Sequence, residues 1–240
     1  MTSAPKLVVE FCGEGHELDS AREFTVGRDA DLVVDENPYL HRRFLQVAFQ
    51  GGLWWVSNIG SQLSATVSDA DGRMQAWLAP GASLPIVFAT TSVRFTAGPT
   101  TYEIALFAAE PAFLEHAITE EADGSTTIGA TTLTLDQRRL VVALAEPLLS
   151  RSGSGRSDLP STSEAAERLR WTSTKFNRKL DNVCQKLERL GVRGLHGGPD
   201  RLASNRRARL VEYAIASRLV TQADLPLLES QVDGAAGEEV

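Results

Sequence analysis

The sequence is poor in several features that define particular classes of protein. It has only two cysteines in 240 residues, Cys12 and Cys184, and this number supports neither a disulfide framework nor a Cys-x-x-Cys metal knuckle. No apolar run approaches the roughly 20 residues that a transmembrane helix needs. The N-terminus lacks the charged-then-apolar pattern of an export signal. These absences favour a protein of the reducing cytoplasm without membrane association.

Motifs of enzymatic chemistry are lacking as well. There is no Gly-x-x-x-x-Gly-Lys phosphate loop and no Gly-x-Ser-x-Gly nucleophile elbow. The four histidines are scattered along the chain without the spacing of metal ligands. We therefore expect no catalytic residues, no metal and no cofactor, and a protein that is not an enzyme.

The formal net charge of −7 conceals a division along the chain. Residues 1–130 contain 7 Lys and Arg and 17 Asp and Glu, a net of −10, whereas residues 131–222 contain 17 and 9, a net of +8. Residues 223–240 contain 5 acidic residues and no basic ones. Because an excess of positive charge suits a phosphate backbone, residues 131–222 are the segment expected to bind nucleic acid.

The first 108 residues carry the pattern of a β-sandwich or barrel. Short apolar runs such as Leu7–Phe11, Phe44–Phe49 and Leu53–Val56 recur along them, separated by glycine-containing turns. Trp54 and Trp55 lie in one such run, so their side chains should point to opposite faces of a strand, one of them into the core.

A change of composition follows this region. Residues 109–130 are rich in Ala, Glu, Gly, Ser and Thr, which predicts a linker, with one helical turn near Pro111–His116. The period then becomes helical, and Asp136–Leu149 is predicted to be an amphipathic helix. Ser150–Leu159, which contains Ser-Gly-Ser-Gly, is predicted to be a flexible loop.

Two further helices have recognisable N-termini. Ser161 and Glu164 have the spacing of a capping box, which opens a short helix to about Leu169. Thr172 can cap the next helix, whose apolar residues recur at intervals of three and four until Gly191 ends it. The turn between the two helices is therefore short.

The last predicted elements are a hairpin and a helix. A β-hairpin is predicted over residues 192–203, followed by a last helix capped by Ser204 or Asn205. Three helices and a hairpin are the elements of a winged helix-turn-helix. Residues 131–220 resemble that superfamily in Glu164-Ala165-Ala166-Glu167-Arg168-Leu169, in the Trp171-Thr172 turn and in Lys186-Leu187-x-x-Leu190-Gly191. The pattern departs from the common form at Arg170, where glycine is frequent.

The outward face of the predicted third helix carries residue types that suit DNA. Arginine and asparagine make two-point contacts to bases, whereas short hydroxyls and lysines suit phosphates. The hairpin and the start of the last helix add further cations. The candidate DNA-binding residues are Thr172, Ser173, Thr174, Lys175, Asn177, Arg178, Asn182, Arg193, His196, Arg201 and Arg206. The alternative is a surface that is basic only for solubility or that contacts protein.

A second resemblance lies within the β region, in Phe24 to Leu32, Asn37 to Phe44 and Trp55 to Ser64. These segments resemble the forkhead-associated (FHA) family in Gly27-Arg28, His41 and Gly60-Ser61. The resemblance covers about residues 6–108. It implies a β-sandwich whose apical loops bind phosphothreonine peptides.

The resemblance also implies a role for each matched residue. Arg28 would bind the phosphate, because a planar guanidinium suits that group, whereas Gly27 and His41 would be structural, His41 by bracing the binding loop. The candidate phosphopeptide-binding residues are Arg28, Arg42, Arg43, Ser61 and Gln62. Two positions depart from the family pattern: Pro38 replaces a serine, and Leu63 replaces the asparagine that holds the peptide main chain, with Ser64 in place of the glycine that follows.

The sequence thus predicts a multidomain chain: an all-β FHA-like sandwich at 1–108, a linker at 109–130, a winged helix-turn-helix at 131–222 and an acidic tail at 223–240. The predicted function is that of a cytoplasmic transcriptional regulator that binds double-stranded DNA and, through its FHA-like module, a protein partner or a phosphothreonine peptide.

Other interpretations stay open at this stage. The chain could be an adaptor or scaffold without a DNA-binding role, either dependent on phosphothreonine or not. The sandwich could serve self-association into a homo-oligomer, with Arg28 paired to Asp29, Asp31 or Asp35. The acidic tail could also mask the basic face of the helical module.

Overall fold

The N-terminal part of the computed structural model is all β. The structure describes residues 4–112, 133–151, 153–195 and 203–229. The strands of the N-terminal part are β1 (Leu7–Phe11), β2 (Glu14–Glu17), β3 (Phe24–Gly27), β4 (Leu32–Val33), β5 (Leu45–Gln50), β6 (Leu53–Asn58), β7 (Ala65–Asp69), β8 (Gln75–Leu78), β9 (Ser83–Ile86), β10 (Thr90–Ala97) and β11 (Thr100–Ala108). They form two sheets with the orders β2-β1-β11-β10-β7-β8 and β4-β3-β5-β6-β9. The predicted all-β sandwich is therefore confirmed.

The two sheets enclose one apolar core. Exposure alternates residue by residue along β1 and β6, because one face of each strand meets the opposite sheet. Phe44, Phe95 and Tyr102 are fully buried between the sheets. Trp54 is buried with them, whereas Trp55 on the other face of β6 is half-buried. The prediction that one tryptophan lies in the core is confirmed.

The C-terminal part is mainly helical. Its elements are α1 (Leu135–Leu149), the strand β12 (Gly155–Asp158), α2 (Thr162–Arg168), α3 (Ser173–Arg189), α4 (Ala203–Ala216) and a 3-10 helix (Gln222–Leu228). A second apolar core lies between these helices and includes Leu140, Leu144, Phe176 and Leu187. Within the described ranges no helix is long and apolar enough to cross a membrane.

The N-termini of α2 and α3 are capped as the sequence predicts. Ser161 accepts the backbone N–H of Glu164 at 3.2 Å, and the Glu164 carboxylate accepts the backbone N–H of Ser161 at 2.7 Å. Thr172 Oγ1 accepts the backbone N–H of Lys175 at 3.2 Å. Each cap satisfies donors that a free helix end leaves unpaired, which is why these two residues start the helices.

The C-termini of the same two helices share one geometry. After α2, Trp171 N–H bonds to Ala166 O and Arg170 N–H bonds to Glu167 O, the pattern of a Schellman motif. The same pair of bonds follows α3, with Gly191 at the position equivalent to Arg170. Both residues have positive φ, +54° for Arg170 and +88° for Gly191. The turn at which the sequence departs from the common helix-turn-helix form is therefore a left-handed position.

One predicted loop is partly a strand. Within Ser150–Leu159, β12 pairs antiparallel with β11, and Tyr102 lies opposite Arg156. The prediction of a flexible loop is wrong for Gly155–Asp158, because a strand that joins the edge of another module's sheet leaves no periodic signal in its own sequence.

The hairpin and the last helix also differ from expectation. Residues 192–195 form turns and not a strand, and α4 begins at Ala203, ahead of the predicted caps at Ser204 and Asn205. His196 and Arg201 lie outside the described residues. The winged form of the helical module stays a prediction.

The structure describes the first residues of the predicted linker and the first residues of the predicted acidic tail. Ala109 is held to the sandwich by its backbone N–H, which donates to Lys6 O. Residues 113–130, most of the predicted linker, lie outside the described part of the chain. At the other end, Leu228 of the 3-10 helix is buried in the helical core. The first residues of the predicted acidic tail therefore pack on the helices, and residues 230–240 are not described.

Candidate functional site

The apical end of the sandwich brings three loops together, between β3 and β4, between β4 and β5, and between β6 and β7. The first two are joined by their backbones: Arg28 N–H donates to His41 O at 3.0 Å and Asp29 N–H donates to Arg42 O at 2.9 Å. Gly27 permits this approach, since a Cβ atom there would lie 2.1 Å from Arg42 O. The sequence therefore needs glycine at this position to hold Arg28 beside the second loop.

His41 joins the second loop to the third. Its Nε2 atom accepts the backbone N–H groups of Ser61 at 3.1 Å and of Gln62 at 3.2 Å. Burial lowers the pKa of His41, which favours the neutral ring that can accept at Nε2. The ring also stacks on Phe44 at a centroid distance of 5.8 Å. His41 thus braces the loop, the role that the FHA resemblance implies.

Asn58 is a second brace that the sequence analysis did not single out. It is buried, and its amide Nδ2 donates to Leu63 O at 2.8 Å and to Leu78 O at 3.0 Å. Its Oδ1 accepts the backbone N–H of Gly60 at 3.0 Å. A polar residue at the end of an apolar strand, just before Gly60-Ser61, is the signal that could have identified it.

The cations of this end have few counterions. Arg28 is half-buried, Arg42 and Arg43 are exposed, and none of the three makes a hydrogen bond from its side chain or a salt bridge with any residue described. Arg43 has a coulombic interaction with Asp31, one of several influences that lower the pKa of Asp31. The first of those influences is the hydrogen bond from Thr25.

Two of the acidic neighbours suggested for Arg28, Asp31 and Asp35, have other partners. Asp31 pairs with Arg22 at 3.0 Å and accepts the Thr25 hydroxyl at 2.7 Å. Asp35 accepts the Tyr102 hydroxyl at 2.7 Å, and this bond lowers the pKa of Asp35. No salt bridge joins Arg28 to Asp29, Asp31 or Asp35 among the described residues, so the alternative in which Arg28 is paired with one of them is wrong.

The two departures from the family pattern have structural consequences. Pro38 is exposed and offers no donor, and the adjacent Tyr39 is also exposed. Leu63 is half-buried and packs against the sandwich core, so its side chain serves packing where the family has an amide. Ser61 and Gln62 are exposed beside it. The apical end therefore offers the charges of the arginines, the Ser61 hydroxyl and the Gln62 amide, but an apolar side chain at Leu63.

The second candidate surface is the outward face of α3. The exposed members of the predicted DNA-binding set are Thr172, Ser173, Thr174, Asn177, Arg178, Asn182 and Arg193. Lys175 is half-buried, with its Nζ 4.3 Å from the centroid of the Trp171 ring, a cation–π contact. The N-terminal half of α3 thus presents arginine, asparagine and hydroxyl groups to solvent.

The basic cluster at the start of α4 is largely engaged within the protein. Arg206 pairs with Asp181 of α3 at 2.8 Å. Arg207 donates to Pro160 O, and Arg209 packs against the sandwich with 13% of its side chain exposed. These contacts leave little of the cluster exposed to solvent, so these arginines do not form a separate phosphate-binding surface.

The two surfaces belong to modules that touch. β12 extends the sheet at β11, Arg156 of β12 pairs with Asp35 at 3.2 Å, and α4 lies on β7 and β10. In the described ranges no group of three or more His, Cys, Asp or Glu residues could hold a metal ion. Those residues therefore show no geometry for metal chemistry. The arginines of the apical end can hold anions, and α3 presents a polar, partly basic face.

Comparison with solved structures finds FHA domains. The Mycobacterium tuberculosis Rv1747 FHA-1 domain is 18% identical over 44% of this chain and 98% of its own, with a TM-score of 0.34. The FHA domain of an Arabidopsis thaliana hypothetical protein is 13% identical over 48% of this chain and 92% of its own, with a TM-score of 0.33. The FHA domain of the CT664 protein from Chlamydia trachomatis is 19% identical over 42% and 96%, with a TM-score of 0.29. No protein-family model and no curated protein matches the chain.

Proposed function

We propose that this chain is a cytoplasmic regulatory protein whose apical loops bind a phosphothreonine peptide of a protein partner. The observation that carries the proposal is the set of three arginines, Arg28, Arg42 and Arg43, on two loops joined by backbone hydrogen bonds. None of the three has a salt-bridge partner among the described residues. A phosphothreonine carries close to two negative charges and three acceptor oxygens, which guanidinium groups bind well.

Because the serine and the asparagine of the family pattern are missing, we expect this site to discriminate poorly between peptide sequences. A peptide main chain has no amide to hold it at Leu63, so most of the affinity should come from the phosphate. We therefore expect weak sequence preference beyond the phosphorylated residue, and an affinity that falls as the salt concentration rises.

The test is binding of the full chain to an oriented library of phosphothreonine peptides and to its unphosphorylated counterpart. Arg28→Ala should weaken binding to the phosphorylated library about tenfold or more, the value of one charged hydrogen bond. Lys6→Ala removes one charge at the opposite end of the sandwich and should leave binding unchanged. Equal binding of phosphorylated and unphosphorylated libraries would exclude the proposal.

A second activity, binding of double-stranded DNA and with it transcriptional regulation, is favoured by a separate observation. Thr172 caps α3 directly after the short turn from α2, and Ser173, Asn177 and Arg178 face solvent from its first two turns. This is how a helix-turn-helix protein presents its recognition helix to the major groove.

The test is titration of the full chain with mixed-sequence duplex DNA at several salt concentrations. Release of counterions predicts a steep linear fall of log affinity with log salt. Arg178→Ala should weaken binding, whereas Arg218→Ala, which removes an exposed arginine after α4, should not. Absence of binding at low salt, together with retained phosphopeptide binding, would favour the adaptor or scaffold.

A further inference from the structure

The contact between α4 and the sandwich is polar. Thr66 of β7 and Glu212 of α4 are both buried, with 2% and 6% of their surfaces exposed, and Thr96 of β10 lies beside them. Buried polar groups cost free energy unless each finds a partner. A polar interface of this kind is sensitive to the relative position of its two sides, because a small displacement leaves groups unpaired.

The Glu212 carboxylate accepts hydrogen bonds from two strands, β7 and β10. Thr96 Oγ1 donates to Glu212 Oε1 at 2.6 Å, and Thr66 Oγ1 donates to Glu212 Oε2 at 3.3 Å. Arg209, one turn earlier on α4, donates from Nη1 to Thr66 Oγ1, and the same nitrogen lies 3.8 Å from Glu212 Oε2. Thr66, Thr96, Arg209 and Glu212 are here called the junction cluster.

The junction cluster touches both candidate surfaces. Thr66 is the second residue of β7, the strand that continues directly from the loop containing Ser61 and Gln62. On the other side, Arg209 Nε donates to Arg193 O at 3.0 Å, in the segment that follows α3. Displacement of Thr66 along its strand would therefore disturb the bonds that fix this segment.

We propose that the junction cluster is a lock that makes the conformation of the apical β6–β7 loop and that of the segment after α3 interdependent. The roles of the two surfaces rest on the proposed function, but the lock concerns the protein without its ligands. Binding at either surface would then change the affinity at the other by the same factor.

Glu212 makes the lock sensitive to pH, and charged groups face it from two elements. Arg209 and Tyr213 lie on α4 itself, and Arg94 faces the cluster from β10. Arg94 is paired at 2.6 Å with Glu103 of β11, which also pairs with Arg151 at 3.0 Å. β7 contributes only the neutral hydroxyls of Thr66 and Ser68. Burial has the largest influence on the pKa of Glu212 and outweighs the hydrogen bonds from Thr96 and Thr66 and the charges of Arg209 and Arg94, which all lower it.

Burial raises the pKa of Glu212 from 4.5 to about 6. The docked state therefore favours the protonated form, and the stabilisation is present below pH 4.5 and lost as the pH rises through 6. A difference of this size corresponds to about a 30-fold change in the equilibrium between docked and separated modules.

The experiment is hydrogen exchange of the full chain at pH 5 and pH 7.5, corrected for intrinsic rates and resolved by peptide. In the wild type, protection of α4 and of residues 190–195 should fall up to about eightfold between the two pH values, because a free glutamate is already mostly ionised at pH 5. Glu212→Gln keeps the shape and one acceptor oxygen but cannot titrate, so it should remove this dependence. His41, whose pKa is lowered by burial, is present in both proteins, so the comparison isolates Glu212.

A second variant tests the coupling without a change of pH. Thr66→Val removes the hydroxyl at constant shape and should lower protection both in residues 58–64 and in residues 190–195. Thr91→Val is the matched control, because Thr91 is buried in the neighbouring strand β10 and its hydroxyl has no partner among the described residues. The lock is excluded if Thr66→Val alters only β7, or if Glu212→Gln keeps the wild-type dependence on pH.

Discussion

Replacement of Gly27 by alanine should separate the first two apical loops. The added Cβ would lie 2.1 Å from Arg42 O and 2.9 Å from His41 O, and both are backbone atoms that cannot rotate away. The strand would have to move, which would break the bonds from Arg28 N–H to His41 O and from Asp29 N–H to Arg42 O. Two hydrogen bonds at about 1 kcal/mol each, together with the displacement of a packed strand, give a loss of roughly 3 kcal/mol in unfolding free energy.

The assay is urea unfolding followed by tryptophan fluorescence, in which Trp54 reports on the sandwich core. Gly15→Ala is the matched control, since its Cβ would meet Val8 Cγ1 at 3.4 Å, an ordinary contact. We expect the control to change stability by less than about 1 kcal/mol. A Gly27→Ala protein within 1 kcal/mol of the wild type, with unchanged phosphopeptide binding, would refute the argument that this glycine sets the distance between the loops.

Three further predictions concern stability. Arg170→Gly should stabilise the protein by about 1 kcal/mol, because the left-handed position after α2 strains any residue with a Cβ; Gly191→Ala, at the equivalent position after α3, should destabilise it by a similar amount. Asn58→Leu should cost roughly 3 kcal/mol, since it removes three hydrogen bonds at a buried position, although Gly60 N–H keeps its bond to Phe44 O. Finally, the pKa of His41 is lowered on folding, so its contribution to stability should be present above pH 6.5 and decrease as the pH falls from 6.5 towards the lowered folded value.

Thermal or urea unfolding of each variant tests these predictions. A destabilised Arg170→Gly protein would show that the arginine side chain contributes more than its backbone strain costs. An Asn58→Leu protein as stable as the wild type would mean that the loop finds other partners. For His41, a His41→Gln protein with the wild-type slope of stability between pH 5 and pH 6.5 would assign that slope to another group.

Much of the fold follows from local signals. The alternation in β1 and β6, the capping box at Ser161 and Glu164, the cap at Thr172 and the end of α3 at Gly191 are encoded in neighbouring residues, and the structure confirms them. Local patterns of this kind depend on contacts between residues one to four positions apart, so they can be recognised in the sequence alone.

The elements that were wrongly predicted depend on distant partners. β12 is a strand because β11 offers it a free edge, and α4 begins at Ala203 in spite of the caps available at Ser204 and Asn205. A charge count likewise cannot show that Arg206 faces Asp181 or that Arg209 is buried against the sandwich. The pairing of β12 and the burial of Arg209 follow from how the two modules dock, and the Arg206–Asp181 pair follows from how α3 packs on α4. No segment of the sequence specifies these contacts by itself.

The candidate site divides in the same way. The sequence alone determined that Gly27, Arg28, His41 and Ser61 belong to one pattern and that Pro38 and Leu63 depart from it. The tertiary structure decided that His41 and Asn58 share the bracing of the β6–β7 loop, that Leu63 packs into the core, and that the nearby carboxylates of Asp31 and Asp35 are taken by other partners. The physical reason is that composition and spacing determine which groups a chain carries. Packing and hydrogen bonding across loops and modules determine which of those groups remain available for binding.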